Sequence, residues 1–357
     1  MGPYSQKLYK FMAASNEISL IQPDDWHCHL RDDAYLERTV TDIAKQFKRA
    51  IVMPNLKPTI TTIDQARDYH ERILQHVPKN TDFQPLMTLY LTEKMPPDIF
   101  HNAKKSGIIT AGKYYPAGAT TNADSGITSI ETIFPLLEAM QSVDMPLCIH
   151  GESITPGVDI FDREKTFLDE SLKVIINHFP KLRVILEHIS TKAAVDFISE
   201  APKNIAATIT PHHLHYNRND LFHHGIHPHL FCMPILKRTD DQQALIQAAI
   251  SGNPKFFLGT DSAPHTQKSK ESPCGCAGVY SSHAALAFYA EIFEQHNALD
   301  KLENFASVFG AEFYQLPINQ SKITLIKKPY KIADTLSFGE TNLIPMKAGE
   351  IVSWQIQ

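Results

Sequence analysis

The stretch Asp24-Asp25-Trp26-His27-Cys28-His29-Leu30-Arg31 has the pattern of a buried β-strand that ends in polar residues. Side chains alternate between the two faces of an extended strand, so His27 and His29 point to the same side. Two imidazoles at this spacing can bind one divalent ion, and Arg31, further along the same face, would meet an anion. An isolated pair of this kind is more often structural, so a metal site requires further ligands downstream.

Seven more short apolar runs follow, and most are succeeded by a segment with the helical spacing of apolar residues, such as 35–46, 63–77 after the N-cap Thr62, or 240–250. Strand and helix alternating about eight times predict parallel strands closed into a (β/α)8 TIM-type barrel, an α/β fold. No Gly-x-Gly-x-x-Gly follows the first strand, which disfavours a dinucleotide-binding fold. The seven further predicted strands are 49–55, 83–91, 107–115, 146–152, 183–189, 205–210 and 255–261.

The barrel is predicted to occupy 18–345, with an N-terminal extension over 1–17 and a C-terminal tail over 346–357 that packs on the barrel. Short strands are predicted late in the chain, at 323–326, 332–334 and 350–354. Because no low-complexity linker precedes them, we interpret this region as a small appendage and not as a second folding domain.

Composition narrows the class of protein. The 357 residues include 43% apolar residues and carry a formal net charge of −5, which predicts a globular chain without affinity for nucleic acid or anionic membranes. Five cysteines, without a Cys-x-x-Cys pair, indicate free thiols and a reducing compartment. We expect a cytoplasmic protein, because no segment has the length and apolarity of a signal peptide or a membrane span.

Polar residues interrupt the apolar pattern where several predicted strands end. In a closed barrel, these carboxyl ends converge on the face that houses catalysis. Singly, each residue has a structural alternative, such as a capping aspartate or an ion-paired lysine. Together they exceed the ligands of one tetrahedral zinc and suit two ions. The six candidate ligands are His27, His29, Lys113, His150, His188 and Asp261.

Lys113 and Asp261 have predicted roles beyond holding a metal. A neutral lysine amine reacts with carbon dioxide to give a carbamate, whose two oxygens can bridge two ions. Two metals that share a hydroxide favour hydrolysis of an amide, and Asp261 could accept a proton and return it to the leaving nitrogen. The residues alone therefore predict a binuclear amidohydrolase.

Another group of residues is suited to an anionic substrate. Arg31 offers a bidentate fork for a carboxylate, and Asn55 and His265 would reach the same place. The loop 118–122 is small and polar, as expected for a lid, although an ordinary turn is nearly as compatible with it. We predict that the His-rich tract 212–229 and the Cys274-Gly275-Cys276 segment are not metal ligands.

Linked motifs in this order resemble the dihydroorotase family, specifically its short monofunctional bacterial type within the amidohydrolase superfamily. The resemblance covers about residues 18–345. Its motifs are His27-x-His29-x-Arg31, Met53-Pro54-Asn55, Gly112-Lys113-Tyr114-Tyr115-Pro116, His150-Gly151-Glu152, Glu187-His188, Thr210-Pro211-His212-His213-Leu214, Cys232-Met233-Pro234-Ile235-Leu236-Lys237, Gly259-Thr260-Asp261-Ser262-Ala263-Pro264-His265 and Cys274-Gly275-Cys276-Ala277-Gly278.

The resemblance implies two Zn²⁺ per subunit, bridged by N6-carboxylated Lys113 and hydroxide. It implies reversible cyclisation of N-carbamoyl-L-aspartate to (S)-dihydroorotate plus water, the third step of de novo pyrimidine biosynthesis, in a homodimer. Asp261 would be catalytic, and Thr120 and Thr121 would belong to the flexible loop that closes over the substrate. The implied substrate-binding residues are His29, Arg31, Asn55, His150, Met233, His265 and Ala277.

Two alternatives remain open. A hydantoinase-like cyclic amidase could use the same barrel, but its neutral substrate would not need the carboxylate clamp of Arg31, Asn55 and His265. A catalytically silent scaffold protein on this barrel would be expected to have lost ligands, whereas all six are present.

Overall fold

Eight parallel strands form the centre of the computed structural model, which describes residues 16–357. Each strand pairs with the next one in the chain, and the last pairs back onto the first through two backbone hydrogen bonds, from Asp261 N–H to the His27 carbonyl (2.8 Å) and from His29 N–H to the Ser262 carbonyl (3.0 Å). This closure confirms the predicted (β/α)8 barrel. A short strand, β1 (Glu17–Ile21), precedes the barrel strands, which are β2 (Asp24–Cys28), β3 (Arg49–Val52), β4 (Gln84–Tyr90), β5 (Ile109–Tyr114), β6 (Leu147–Ile149), β7 (Val184–Leu186), β8 (Ile205–Ile209) and β9 (Phe256–Leu258).

The barrel strands are shorter than the sequence predicts, and the difference is largest at β6, β7 and β9. Each of these three contains three residues, and the rest of the predicted run belongs to the loop that follows. His150, His188 and Asp261 therefore lie just beyond their strands. After the strands have ended, the backbone adopts a positive φ at His188 and Asp261, of +42° and +43°.

Helices alternate with the barrel strands. The predicted cap at Thr62 is present as a full capping box, in which the Thr62 hydroxyl accepts from Gln65 N–H (3.2 Å) and the Gln65 side-chain oxygen accepts from Thr62 N–H (3.1 Å). A π-helical turn, Leu168–Leu172, joins α5 to α6. The helices are α1 (Leu36–Ala44), α2 (Ile63–Gln75), α3 (Ile99–Ser106), α4 (Phe134–Ser142), α5 (Arg163–Phe167), α6 (Lys173–His178), α7 (Lys192–Glu200), α8 (Pro211–His215), α9 (Thr239–Ile250), α10 (Gln267–Lys270), α11 (Ala285–Gln295) and α12 (Phe309–Phe313).

Helix α3 lies in a segment for which the apolar spacing predicts no helix. Only two of its side chains, Phe100 and Ala103, are buried, so its apolar stripe is too narrow to stand out in the sequence. Among residues 16–357, no helix combines the length and the apolar character that are needed to span a bilayer.

The interior of the barrel is filled by side chains and closed at the amino ends of the strands. Trp26 of β2 stacks on Tyr314, which follows α12, with ring centroids 4.5 Å apart and an interplanar angle of 8°. A Cβ at Gly310 would lie 1.9 Å from the Trp26 indole nitrogen, so α12 can approach only because this residue is glycine. The polar opening of the barrel therefore lies at its other end.

The two ends of the described chain meet in a separate sheet. Strand β1 pairs antiparallel with β10 (Lys322–Lys331), which also pairs with β13 (Ile351–Ile356). A hairpin, β11 (Leu336–Phe338) and β12 (Thr341–Leu343), lies between them in sequence, and the strand predicted at 332–334 is wrong because β10 ends at Lys331. Residues 1–15 of the predicted extension 1–17 lie outside the described residues, and the division at 18–345 and 346–357 stays a prediction.

A buried ion pair joins the first two barrel strands at their amino ends. Arg49 donates to both carboxylate oxygens of Asp24, at 2.9 and 2.6 Å, and also to the carbonyl of Pro317 (2.9 Å). Asn319 donates to the same carboxylate (2.9 Å). This network connects the barrel to the segment that follows α12.

We expect Arg49→Leu to lower the free energy of unfolding by about 3–5 kcal/mol, because it leaves the fully buried Asp24 carboxylate without its cation. Equilibrium denaturation by urea measures the change. The matched control is Arg67→Leu, which breaks an ion pair with Asp64 of the same 2.6 Å length on an exposed helix surface and should leave stability nearly unchanged. Equal losses in the two variants would contradict the assignment.

Candidate active site

The six candidate metal ligands lie at the carboxyl ends of five barrel strands. His27 and Lys113 are the residues before the last of β2 and β5, and the other four follow β2, β6, β7 and β9. Five of the six are buried, and His29 is partly exposed. A single cavity is lined by five of them, all except Lys113: His27, His29, His150, His188 and Asp261.

Three ligand atoms from β2 and from the loop after β9 converge on one point. The Nε2 atoms of His27 and His29 lie 3.4 Å apart. One carboxylate oxygen of Asp261 lies 3.2 Å from the first nitrogen and 3.0 Å from the second. Two imidazole nitrogens and a carboxylate oxygen directed at a common point form the donor set of a divalent metal site.

Carboxylates behind two of the histidines orient their rings. Glu187 accepts from Nδ1 of His27 (2.8 Å) and from the Thr208 hydroxyl (2.7 Å), which leaves Nε2 of His27 unprotonated toward the cavity. Glu152 contacts Nε2 of His150 (2.8 Å), so Nδ1 is the nitrogen available to a metal. Sequence reasoning assigned no role to Glu187 or Glu152, although an acidic residue beside a ligand histidine at the end of an apolar strand is a detectable signal.

His188 lies between the two carboxylate-supported histidines. Its ring centroid is 5.0 Å from that of His27 and 4.8 Å from that of His150. Both Nδ1 of His188 and Nζ of Lys113 are buried without a hydrogen-bond partner. Buried polar atoms are normally paired, so these two atoms fit groups that await an ion or a modification.

Burial and neighbouring charges shift the pKa values of the candidate ligands in different directions. Burial alone would lower the pKa of His27, but the carboxylates of Glu187 and Asp261 outweigh it and raise the pKa. Burial would raise the pKa of Asp261, but the imidazoles hold it well below its usual value. Burial lowers the pKa of His29 to about 4 and also lowers the pKa of Lys113, which favours the neutral amine.

Three of the predicted site residues have a strained backbone conformation. Arg31, His188 and Asp261 all have positive φ, at +61°, +42° and +43°. Residues with a Cβ rarely adopt this conformation, and they persist only where the surrounding structure holds them. The strain is located at one predicted substrate ligand and two predicted metal ligands.

Arg31 and His265, two predicted carboxylate-binding residues, lie in contact. The Nη2 atom of Arg31 and the carbonyl of Ala277 each lie 3.0 Å from Nε2 of His265, and Nε of Arg31 donates to the carbonyl of Pro264 (2.9 Å). Nε2 of a neutral imidazole either donates to the carbonyl or accepts from the guanidinium, so one of these contacts stays unmade. A bound carboxylate would resolve this competition by accepting from Arg31.

Comparison with known proteins identifies the family. The amidohydrolase family model matches residues 18–352. The dihydroorotase of Coxiella burnetii is 60% identical over 341 residues, which cover 96% of this chain and 98% of that protein. The chain belongs to the dihydroorotase family. It is thus an enzyme of the amidohydrolase superfamily, as the linked motifs predict.

Solved structures of the family agree in fold. The dihydroorotase of Campylobacter jejuni superposes with a TM-score of 0.88 at 36% identity, over 96% of this chain and 98% of that one. The Saccharomyces cerevisiae dihydroorotase in complex with 5-fluoroorotic acid gives 0.87 at 35% identity, with the same coverage. An L-hydantoinase from Arthrobacter aurescens, at 15% identity and a TM-score of 0.78, shares the fold.

The predicted lid lies over the cavity in this family member. Thr120 and Thr121 line it, and the Thr121 hydroxyl lies 3.4 Å from the carbonyl of Ala277. Asn55 donates to the carbonyl of Thr121 (3.0 Å), and Asn122 donates back to the carbonyl of Asn55 (2.8 Å). The loop thus contacts Asn55, a predicted substrate-binding residue, directly.

The His-rich tract forms a second cluster beside the cavity, in which His212, His213 and Cys232 are close enough to hold an ion. Both ring nitrogens of His213 are engaged, with the Thr210 hydroxyl (2.7 Å) and the carbonyl of Pro234 (3.0 Å). The Cys232 thiol donates to the same carbonyl (3.2 Å), and burial raises its pKa to about 12. These contacts engage His213 and Cys232, whereas both ring nitrogens of His212 are buried without a hydrogen-bond partner. That the tract supplies no metal ligand stays a prediction.

We expect Glu187→Gln to weaken metal binding ~10–100-fold, because the amide cannot replace the carboxylate that orients His27. Competition with a chelator during metal titration measures the affinity. The matched control is Glu294→Gln, whose carboxylate contacts Lys327 and Trp354 at the outer sheet and which should retain the original affinity. Unchanged affinity in the Glu187 variant would rule out this role.

Proposed function

We propose that the chain catalyses the reversible cyclisation of N-carbamoyl-L-aspartate to (S)-dihydroorotate plus water, the third step of de novo pyrimidine biosynthesis. The observation that carries the proposal is one cavity that combines the donor set of His27, His29 and Asp261 with the carboxylate-binding Arg31. The solved yeast relative was captured with a pyrimidine carboxylic acid, 5-fluoroorotic acid, which supports a substrate of this class.

The residues fit two divalent ions, which we propose to be Zn²⁺. His27, His29 and Asp261 would hold one ion, and His150 and His188 the other. Carboxylated Lys113 would serve both: its neutral amine adds to carbon dioxide, the N–C bond forms, and one proton leaves. The two ions would polarise the substrate carbonyl and lower the pKa of a water molecule.

Asp261 is proposed as the residue that moves the proton. In the hydrolytic direction, water adds to the ring amide carbonyl, and the Asp261 carboxylate accepts a proton from it. Asp261 returns this proton to the ring nitrogen as the carbon–nitrogen bond breaks, and N-carbamoyl-L-aspartate results. The lowered pKa of Asp261 keeps its carboxylate ionised at neutral pH, so the oxygen is free to accept a proton only as water adds.

Arg31, Asn55 and His265 would bind the carboxylate that stays outside the reaction, with help from the cavity-lining Met233 and Ala277. His29 and His150 lie close enough to the same cavity to contact the substrate as well. A charged fork that binds the same carboxylate before and during reaction contributes mainly to substrate binding. The Thr120–Thr121 segment would open for entry and exclude water when closed.

A homodimer and a cytoplasmic location also belong to this proposal. The location is supported by the cysteines, all five of which are free thiols. The dimer rests on the resemblance to the short bacterial type of dihydroorotase.

Turnover of dihydroorotate, followed by its ultraviolet absorbance, tests the function directly, with a hydantoin as the competing substrate. We expect Arg31→Ala to lose most activity toward N-carbamoyl-L-aspartate, roughly 100-fold or more in kcat/KM, while metal content stays near that of the unmodified protein. The control Arg67→Ala, on the exposed surface of α2, should retain activity. Hydantoin turnover without dihydroorotate turnover would refute the proposed substrate.

We expect Lys113→Ala to abolish activity, because alanine cannot form the carbamate that would bridge the two ions. Added short carboxylic acids should restore part of the activity by occupying the vacated space. Mass spectrometry of the intact protein should show about 44 Da of additional mass, as one CO2 requires, on the protein that contains Lys113 and not on Lys113→Ala. Full activity of Lys113→Ala without an added acid would show that the carbamate is not needed.

A further inference from the structure

Lys270 is a buried cation outside the set of residues discussed above. It ends the short helix α10, and only 3% of its surface is exposed. Its ammonium donates to three backbone carbonyls, those of Phe231 (2.7 Å), Cys276 (2.9 Å) and Gly278 (2.8 Å). No carboxylate forms an ion pair with it in the part of the chain that the structure describes.

Each N–H donor of the Lys270 ammonium has its own carbonyl acceptor. A lysine ammonium has three N–H donors and no acceptor, and here each donor has one carbonyl. A buried charge without a counter-ion is costly, and hydrogen bonds to backbone dipoles are what makes it tolerable. An apolar side chain would fill the same space at lower cost, so the charge calls for a reason beyond packing.

Two of these three carbonyls flank Ala277, a predicted substrate-binding residue. The carbonyls of Cys276 and Gly278 point to Lys270, whereas that of Ala277, between them, points to the cavity side. There it lies 3.0 Å from Nε2 of His265 and 3.4 Å from the Thr121 hydroxyl. Lys270 thus holds two peptide groups turned away, so that the one between them faces the clamp and the lid.

This backbone conformation needs support. Cys276 has φ of +32° and Gly278 has φ of +150°, both in the region that L-residues rarely adopt. A Cβ at Gly278 would lie 2.4 Å from the carbonyl oxygen of Ala263, which shows how closely this turn packs against the loop after β9. Without the two bonds from Lys270, the turn would relax toward ordinary conformations.

The third carbonyl links this turn to a second cavity-lining loop. Phe231 accepts both from Lys270 and from Gly278 N–H (2.9 Å), and it lies two residues before Met233. Met233 and Ala277 line the cavity together. A single ammonium therefore fixes the spacing of the two loops on this side of the cavity.

We propose that Lys270 is a positioning residue for substrate binding, which rests on the proposed function: its three hydrogen bonds hold the Met233 and Ala277 backbones toward the substrate. The residue does not itself line the cavity, so it acts through these carbonyls. Because the held groups contact the substrate equally before and during reaction, their loss should raise KM and leave kcat nearly unchanged.

Steady-state kinetics of Lys270→Met with dihydroorotate test this proposal. We expect KM to rise ~10–100-fold, with kcat changed less than ~3-fold and metal content unchanged. The matched control is Lys268→Met, on the exposed side of the same helix, which should keep both constants. The proposal would be overturned if Lys270→Met left KM unchanged, or if it lowered kcat without raising KM.

A second variant, Lys270→Gln, allows the test to be made even if Lys270→Met does not fold. Lys270→Gln retains two N–H donors and should give a KM between those of the unmodified protein and the methionine variant. If the methionine variant does not fold, the glutamine variant decides by the same criterion. Failure of both to fold would overturn the proposal, since Lys270 would then be a requirement of the fold. Lack of turnover by the unmodified protein would instead refute the proposed function.

Discussion

Closure of the barrel between β2 and the segment after β9 is the constraint on which the site depends. The Asp25 carboxylate, fully buried at this seam, accepts from the backbone N–H groups of His27 (3.1 Å) and Thr260 (2.8 Å). Direct backbone bonds between the two segments complete the ring. Because these bonds fix the register, His27 and His29 are brought next to Asp261 although more than 230 residues separate them in the chain.

Two pairs of buried polar residues surround the site and differ in their contacts. Glu187 and Glu152 lie behind histidines and fix which ring nitrogen faces the cavity, while His188 and the buried Lys113 each keep an unpaired nitrogen. In the first pair, one carboxylate oxygen of each glutamate contacts a histidine, while its other oxygen is buried without a partner among the described residues. The unpaired nitrogens of the second pair are costly without a ligand. The histidine rings are thus oriented before a ligand binds, whereas the nitrogens of Lys113 and His188 still need a partner.

The part of the cavity that Met233 and Ala277 line is built differently. It is built from backbone carbonyls and loop residues, and the Lys270 ammonium donates to the carbonyls of Phe231, Cys276 and Gly278 in these loops. The loop predicted to be a lid contacts the same backbone, since the Thr121 hydroxyl lies 3.4 Å from the carbonyl of Ala277. Changes in this outer layer are therefore expected to alter binding more than chemistry.

The sequence by itself determined the barrel and the six candidate ligands, because a buried strand shows as an apolar run and a polar residue at its end interrupts that run. It could not determine the pairing of Glu187 with His27 or of Lys270 with three carbonyls. Those contacts join residues 160 and up to 39 positions apart, and their partners are set by how loops pack after the ring has closed. Periodicity reports on elements one at a time, whereas hydrogen bonds between loops exist only in the tertiary structure.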